Sequence, residues 1–211
     1  MTWTSPRTSA PKKPALPISS EPPTTSERPA TDLRALVATD VLDAELASLV
    51  WVLAERGVPL VVAGTERVAA ETLRRAFVER VRATQPARDA VAGGVVVGGS
   101  LLDVLRVLGG GTEISDDTRD LGVVLIIREG RVSVAHYVRP VERDSAGHLQ
   151  RRPPAVLSAR ATDSGALEHF YWAFTEELAT RAAMTRHELE DEQTLRSNRL
   201  APTGSQPNAR N

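Results

Sequence analysis

Between residues 32 and 199 the apolar positions switch between two periods. Leu42, Leu46, Leu49, Val50 and Leu53 recur every three or four residues. That spacing puts them on one helix face and predicts a helix over about 41–56, with Asp40 as its cap and Gly57 as its stop. The next run, VPLVVAG (58–64), is apolar throughout and rich in Val. It predicts a short strand buried on both faces, as in a parallel or mixed sheet. Helical spacing returns over about 68–84, where Val68, Leu73, Phe77 and Val81 share a face. GGVVVGG (93–99) predicts a second buried strand, and Ser100 can cap the short helix SLLDVLRVL, which ends in Gly109–Gly111.

The pattern changes near residue 121. LGVVLIIREGRVSVAHYVRP holds two β-rich runs joined by Glu129–Gly130, the signature of a hairpin. PAVLSAR can add a further strand, and 164–199 reads as helix in two pieces. Thr175 opens the first piece with Leu178 where a capping box would want Glu; Thr185 with Glu188 completes such a box for the second. The order of elements implies an α/β sheet, parallel or mixed, with flanking helices, an appended β-hairpin and C-terminal helices. Residues 1–31, rich in Pro, Ser and Thr, bury too little apolar surface to offset their ordering entropy. They are expected to be a disordered tail, as are 200–211, leaving 32–199 as a single α/β domain.

Composition narrows the chemistry. A formal net charge of -1 gives no global pull toward nucleic acid or acidic lipid. Zero Cys excludes disulfides, thiolate catalysis and Cys-ligated zinc, and suits a reducing compartment. No apolar run approaches the ~20 residues of a membrane helix, and no signal-peptide pattern opens the chain. The expectation is a cytoplasmic protein that inserts in no membrane. The only lysines are Lys12 and Lys13, so everything after Pro14 lacks a lysine for a phosphate clamp, a Schiff base or a general base.

VVAGTERVAAETLRRAF (61–77) has the layout of a phosphate-binding loop, with a buried strand, a glycine and a helix. The full pattern is G-x-x-x-x-G-K-[ST]. Aligned on Gly64 and Thr65, the second glycine is Ala69, the lysine is Ala70 and the magnesium-binding hydroxyl is Glu71, with Thr72 one place on. Ala69 resists the positive φ that glycine accepts. Glu71 puts a carboxylate where polyphosphate would lie; two like charges ~4 Å apart repel by about 4 kcal/mol at an intermediate dielectric. The same carboxylate suits the first turn of a helix.

Three stretches, PLVVAGTERVAAETLRRAF, VVVGGSLLDVLRVL and LGVVLIIREGRVSVAHYV, together with the closing TRHELEDEQTLRSNRL, resemble the C-terminal P-loop domain of the type II/type IV secretion and pilus-assembly ATPases. The resemblance spans about 40–199. It implies a P-loop-NTPase-like fold, and a protein partner that is itself a homologous hexameric ATPase. The Walker A lysine, an apolar run ending in Asp-Glu and the family's histidine box are all missing, the last replaced by Val97–Gly99. A relative so stripped would be a pseudo-ATPase, a scaffold or regulator of secretion or pilus assembly, with no cofactor of its own. Under the alternative of an ATP-binding enzyme with a non-standard loop, ATP and magnesium would bind at Gly64–Thr72.

A third reading is an unrelated module for an anionic ligand. AHYVRPVERDSAGHLQRRPP (135–154) gathers His136, Arg139, Arg143, His148, Arg151 and Arg152 around Glu142 and Asp144. Guanidinium groups recognise carboxylate and phosphate in pairs of hydrogen bonds, although Arg–Glu pairs within a solvated loop would use them up. His187 and Asp191 have metal-compatible spacing on a helix, but no third ligand converges in the sequence and no metal site is expected. His169, Phe170, Tyr171, Trp172 and Phe174 form an aromatic cluster that could offer a stacking platform for bases but is expected to pack into the core under the hairpin. Homo-oligomerisation is compatible with all three readings.

Overall fold

The computed structural model describes residues 32–85, 93–108, 120–150 and 152–202. The tail 1–31, residues 203–211, Arg151 and the glycines 109–111 lie outside the described residues. Helix α1 is Leu33–Ala38 and α2 is Ala44–Glu55. Asp43, not Asp40, caps α2, accepting from the Leu46 N–H at 2.8 Å. Asp40 adopts φ +57 in the turn before it and instead receives Arg131 at 3.1 Å and Arg160 at 3.3 Å. That turn is tied to the sheet, since the Val132 N–H donates to the Val41 carbonyl at 2.7 Å.

Strand β1 (Leu60–Gly64) leads to α3 (Arg67–Thr84), β2 (Val95–Val97), α4 (Leu101–Leu108) and the hairpin β3 (Gly122–Arg128) and β4 (Arg131–Val138). Short strands β5 (Glu142–Arg143) and β6 (Leu149–Gln150) pair with each other. Then come β7 (Ala155–Arg160), β8 (Leu167–His169), a 3-10 turn (Tyr171–Phe174), α5 (Thr175–Arg181) and α6 (Arg186–Leu200). The six-stranded mixed sheet runs β2-β1-β3-β4-β7-β8. β2, β1 and β3 are parallel and the remaining pairs antiparallel.

The continuous apolar runs follow from burial of both faces. Leu60, Val62, Val123, Leu125 and Ile127 join the large core with α2 and α3. Their neighbours Val61, Ala63, Val124 and Ile126 face the other way, into a smaller core with Val104 of α4. α6 packs chiefly on α2. There Arg80 and Arg196 both lie over the Trp51 ring, at 4.3 and 5.0 Å. The buried Glu55 accepts from Trp51 Nε1 at 2.5 Å, Arg196 Nη2 at 2.5 Å and the Thr84 hydroxyl.

Several sequence expectations hold. The hairpin turns at Glu129–Gly130, Ser100 accepts from the Asp103 N–H at 3.2 Å, and both halves of the Thr185–Glu188 capping box form. Others are corrected. Val68 is 78% exposed, because it lies on the outer side of the first turn of α3, whose inner side buries Ala70 in the large core. Residues 164–199 are not all helix, for β8 pairs with β7. The aromatic cluster is not core: Trp172 and Phe170 are exposed, while Tyr171 and Phe174 only lean on the core that Trp51, Phe77 and Tyr137 fill. α6 runs to Leu200, which is fully buried, so the packed chain extends past residue 199. Among the described residues no helix is long and apolar enough to cross a membrane.

Candidate functional site

Open α/β sheets bind ligands beyond the carboxyl ends of parallel strands, where successive helices leave for opposite faces. Here α3 follows β1 onto the large-core face and α4 follows β2 onto the other. Only Thr65 and Glu66 separate β1 from α3. Ala69, Ala70, Glu71 and Thr72 therefore lie within the helix rather than in a loop. The Ala70 N–H donates to the Glu66 carbonyl at 3.2 Å, the Thr72 hydroxyl donates to the Val68 carbonyl at 2.8 Å, and Glu71 lies 4.0 Å from Arg67. Ala70 is fully buried. Gly64 has an ordinary φ; a Cβ there would lie 3.3 Å from Ile127 Cβ and the Ile127 carbonyl, so the close approach of β3 favours glycine.

The start of α4 already holds an anion. Asp103 Oδ2 accepts from the Ser100 hydroxyl at 2.7 Å and the Gly99 N–H at 3.2 Å. The Ser100 hydrogen bond, chiefly, keeps the Asp103 pKa below its ordinary value, against a smaller opposing effect of burial. Arg128 closes the same corner, donating to the Gly99 carbonyl from Nε at 3.2 Å and Nη2 at 2.8 Å. Val68, Val97 and Leu102 expose more than half of their surface. All three belong to the ends of β1 and β2 or the first turns that follow them.

The cations of 135–154 mostly meet internal partners. Arg139 grips Glu177 with two hydrogen bonds, 2.7 and 2.9 Å, donates to the Pro153 carbonyl and lies 5.4 Å from the Phe174 ring. The Glu177 hydrogen bond is the main reason its pKa rises. Arg143 donates to the Gly147 carbonyl at 2.9 Å, His148 lies 3.4 Å from Asp144, and Arg152 lies 3.4 Å from Glu142. His136 alternates with Tyr137 on β4 and so faces the smaller core, where burial pushes its pKa down. Of these cations, Arg139 and Arg152 share a cleft, of about 250 Å³, with Tyr137, Glu177 and Arg181. His187 and Asp191 meet at 3.4 Å on an exposed face. Among the described residues no group of three or more His, Asp or Glu converges as a metal site.

Sequence reasoning missed a polar chain at the far edge of the sheet. His169 Nδ1 meets the Ser158 hydroxyl at 2.8 Å, and His169 Nε2 meets Asp43 Oδ2 at 2.8 Å. The order Ser–His–Asp suggests a nucleophile, but Ser158 is fully buried beside a bulge in β7 and Asp43 is a helix cap. These three residues are better described as a strut joining α2 to β8. Burial disfavours the charged imidazole, yet the hydrogen bond to Asp43 and the charges of Asp43 and Glu45 outweigh it and raise the His169 pKa. Beside the strut, the Tyr171 hydroxyl donates to Glu45 Oε1 at 2.5 Å. Burial, then Glu45, raises its pKa. A cleft of about 380 Å³ opens here, lined by Glu45, Tyr171, Trp172, Glu190, Gln193 and Asn198. His169 and Asp43 stand 126 residues apart, so no local motif could have disclosed them. No protein-family model matches the chain, and no curated protein is significantly similar to it.

Proposed function

We propose that this protein is a non-catalytic, ATPase-like α/β scaffold or regulator that works by protein–protein contact in the cytoplasm. The observation that carries the reading is the state of the parallel-strand ends. Where a nucleotide would sit, α3 begins two residues after β1, and Asp103 occupies the start of α4. A carboxylate in that position repels phosphate, whereas a surface edged by Val68, Val97 and Leu102 gains by excluding water against another protein. The resemblance of 40–199 to secretion and pilus ATPases points to such an ATPase as the partner.

Two titrations of the full chain test this. Calorimetry with ATP and magnesium is expected to show no saturable heat; micromolar binding lost in Gly64→Val or Thr72→Ala would overturn the reading. Titration with a purified secretion or pilus ATPase from the same source is expected to show association weakened at least tenfold by Val68→Asp with Leu102→Asp. Association unmoved by that pair would remove the strand-end rim from the contact.

A further inference from the structure

The cleft beside the His169 strut is lined by two carboxylates, Glu45 and Glu190, and one guanidinium, Arg186. Trp172 is 69% exposed, far more than is usual for so large a ring. It is also held in place, since its Nε1–H donates to the His169 carbonyl at 3.2 Å. Gln193 of α6 is only 7% exposed. Its amide nitrogen donates to the Tyr171 oxygen at 2.8 Å and to the Glu45 carbonyl at 3.4 Å. Both partners are acceptors there, because the Tyr171 hydrogen is already given to Glu45. The amide orientation is thereby fixed. Gln193 Oε1 is left without a partner among the described residues. Glu45 Oε2 has His169 Nε2 at 3.8 Å, beyond hydrogen-bond reach. Glu190 shares the solvated Arg186 at 2.7 Å.

An amide oxygen without a protein partner, on a side chain that lines the cleft, can accept from a ligand donor. The two carboxylates, Glu45 and Glu190, set against one guanidinium, Arg186, ask for a positive one. The Trp172 face asks for a flat one. An anion is repelled, and an ammonium has no plane to stack. A guanidinium supplies both the plane and a fork of N–H donors. At about 380 Å³ the space is at the small end of ligand clefts and suits a single long side chain.

We infer that this cleft receives an arginine side chain of a partner protein. Its guanidinium stacks on Trp172 and donates to Gln193 Oε1 and to the Glu45 and Glu190 carboxylates. As a contact with a protein, the assignment rests on the reading of the chain as a contact module; the cleft's preference for guanidinium follows from its own geometry.

The test is an NMR titration of the ¹⁵N-labelled full chain with the capped tripeptide Gly-Arg-Gly, following Trp172 Nε1–H and the Gln193 side-chain amide. The same tripeptide with citrulline, which keeps the shape and loses the charge, runs in parallel. Saturable movement of both resonances by the arginine peptide, without saturation by citrulline, is the expected result. Trp172→Ala, read at Gln193, should weaken binding roughly three- to fivefold, the change due to one exposed cation–π contact. Glu190→Gln, an exposed change that leaves the core alone, should weaken it by a similar factor. No saturable movement, equal response to citrulline, or binding unmoved in both variants would overturn the assignment. Those outcomes leave the nucleotide and ATPase titrations untouched, and nucleotide binding at Gly64 would in turn leave these two resonances unmoved.

Discussion

Replacing Arg196 by Met tests whether the α2–α6 contact depends on the ion pair buried at its centre. The Arg196 and Glu55 side chains are 14% and 5% exposed, and their closest atoms are 2.5 Å apart. Removing one member of a buried pair strands the other and costs about 3–5 kcal/mol. Glu55 keeps hydrogen bonds from Trp51 Nε1 and Thr84, which soften the loss, while the stacking of Arg196 over Trp51 goes with the side chain. The expected cost is about 3 kcal/mol, or roughly 6–12 °C in melting temperature for a chain of this size. Urea unfolding monitored by circular dichroism measures it. Glu55→Gln, made in the Arg196→Met background, keeps an acceptor for Trp51 and Thr84 while removing the charge that Arg196 had faced. It should recover more than half of the loss. A cost below about 1 kcal/mol for the single change, or additive costs in the pair, would show that solvent screens the contact and refute the reasoning.

His169 predicts a pH dependence. Its folded pKa stands above the ordinary 6.5, so the stability it adds is complete below about that pH and is lost as pH rises through the folded value. His136 is shifted down and acts with opposite sign, weakening the fold as pH falls below 6.5. His169→Gln should therefore remove the decline in stability above pH 6.5 and leave the His136 effect in place; an unchanged profile in urea melts would sink the strut. Gly122→Ala should destabilise by about 2 kcal/mol or more, since Gly122 has φ +60 and its Cβ would lie 2.3 Å from the Pro59 carbonyl oxygen. Gly64→Ala, with an ordinary φ and a 3.3 Å contact, should cost about 1 kcal/mol or less. Thermal melts of the two variants decide the order, and a larger loss at Gly64 would contradict the packing described for β1 and β3.

By itself the sequence determined whatever depends on neighbours along the chain. Continuous apolar runs at 58–64 and 121–127 required a sheet covered on both faces, Glu129–Gly130 required a hairpin, and Thr185 with Glu188 required a helix start. Each signal is local, because helix spacing, turn chemistry and caps act over a few residues. Tertiary structure decided the rest. Asp43 displaced Asp40 as the cap of α2, with Asp40 drawn to Arg131 and Arg160 from distant strands. β8 formed in a stretch that reads as helix, because β7 offered it a ladder. Pairing of Arg152 with Glu142 inside the loop could be read from the chain, but not that Glu177, from a helix 38 residues on, would meet Arg139. The cleft of Glu45, Trp172 and Gln193 draws on three elements remote in sequence. Its free amide oxygen exists only because folding directed the Gln193 nitrogen to Tyr171 and the Glu45 carbonyl.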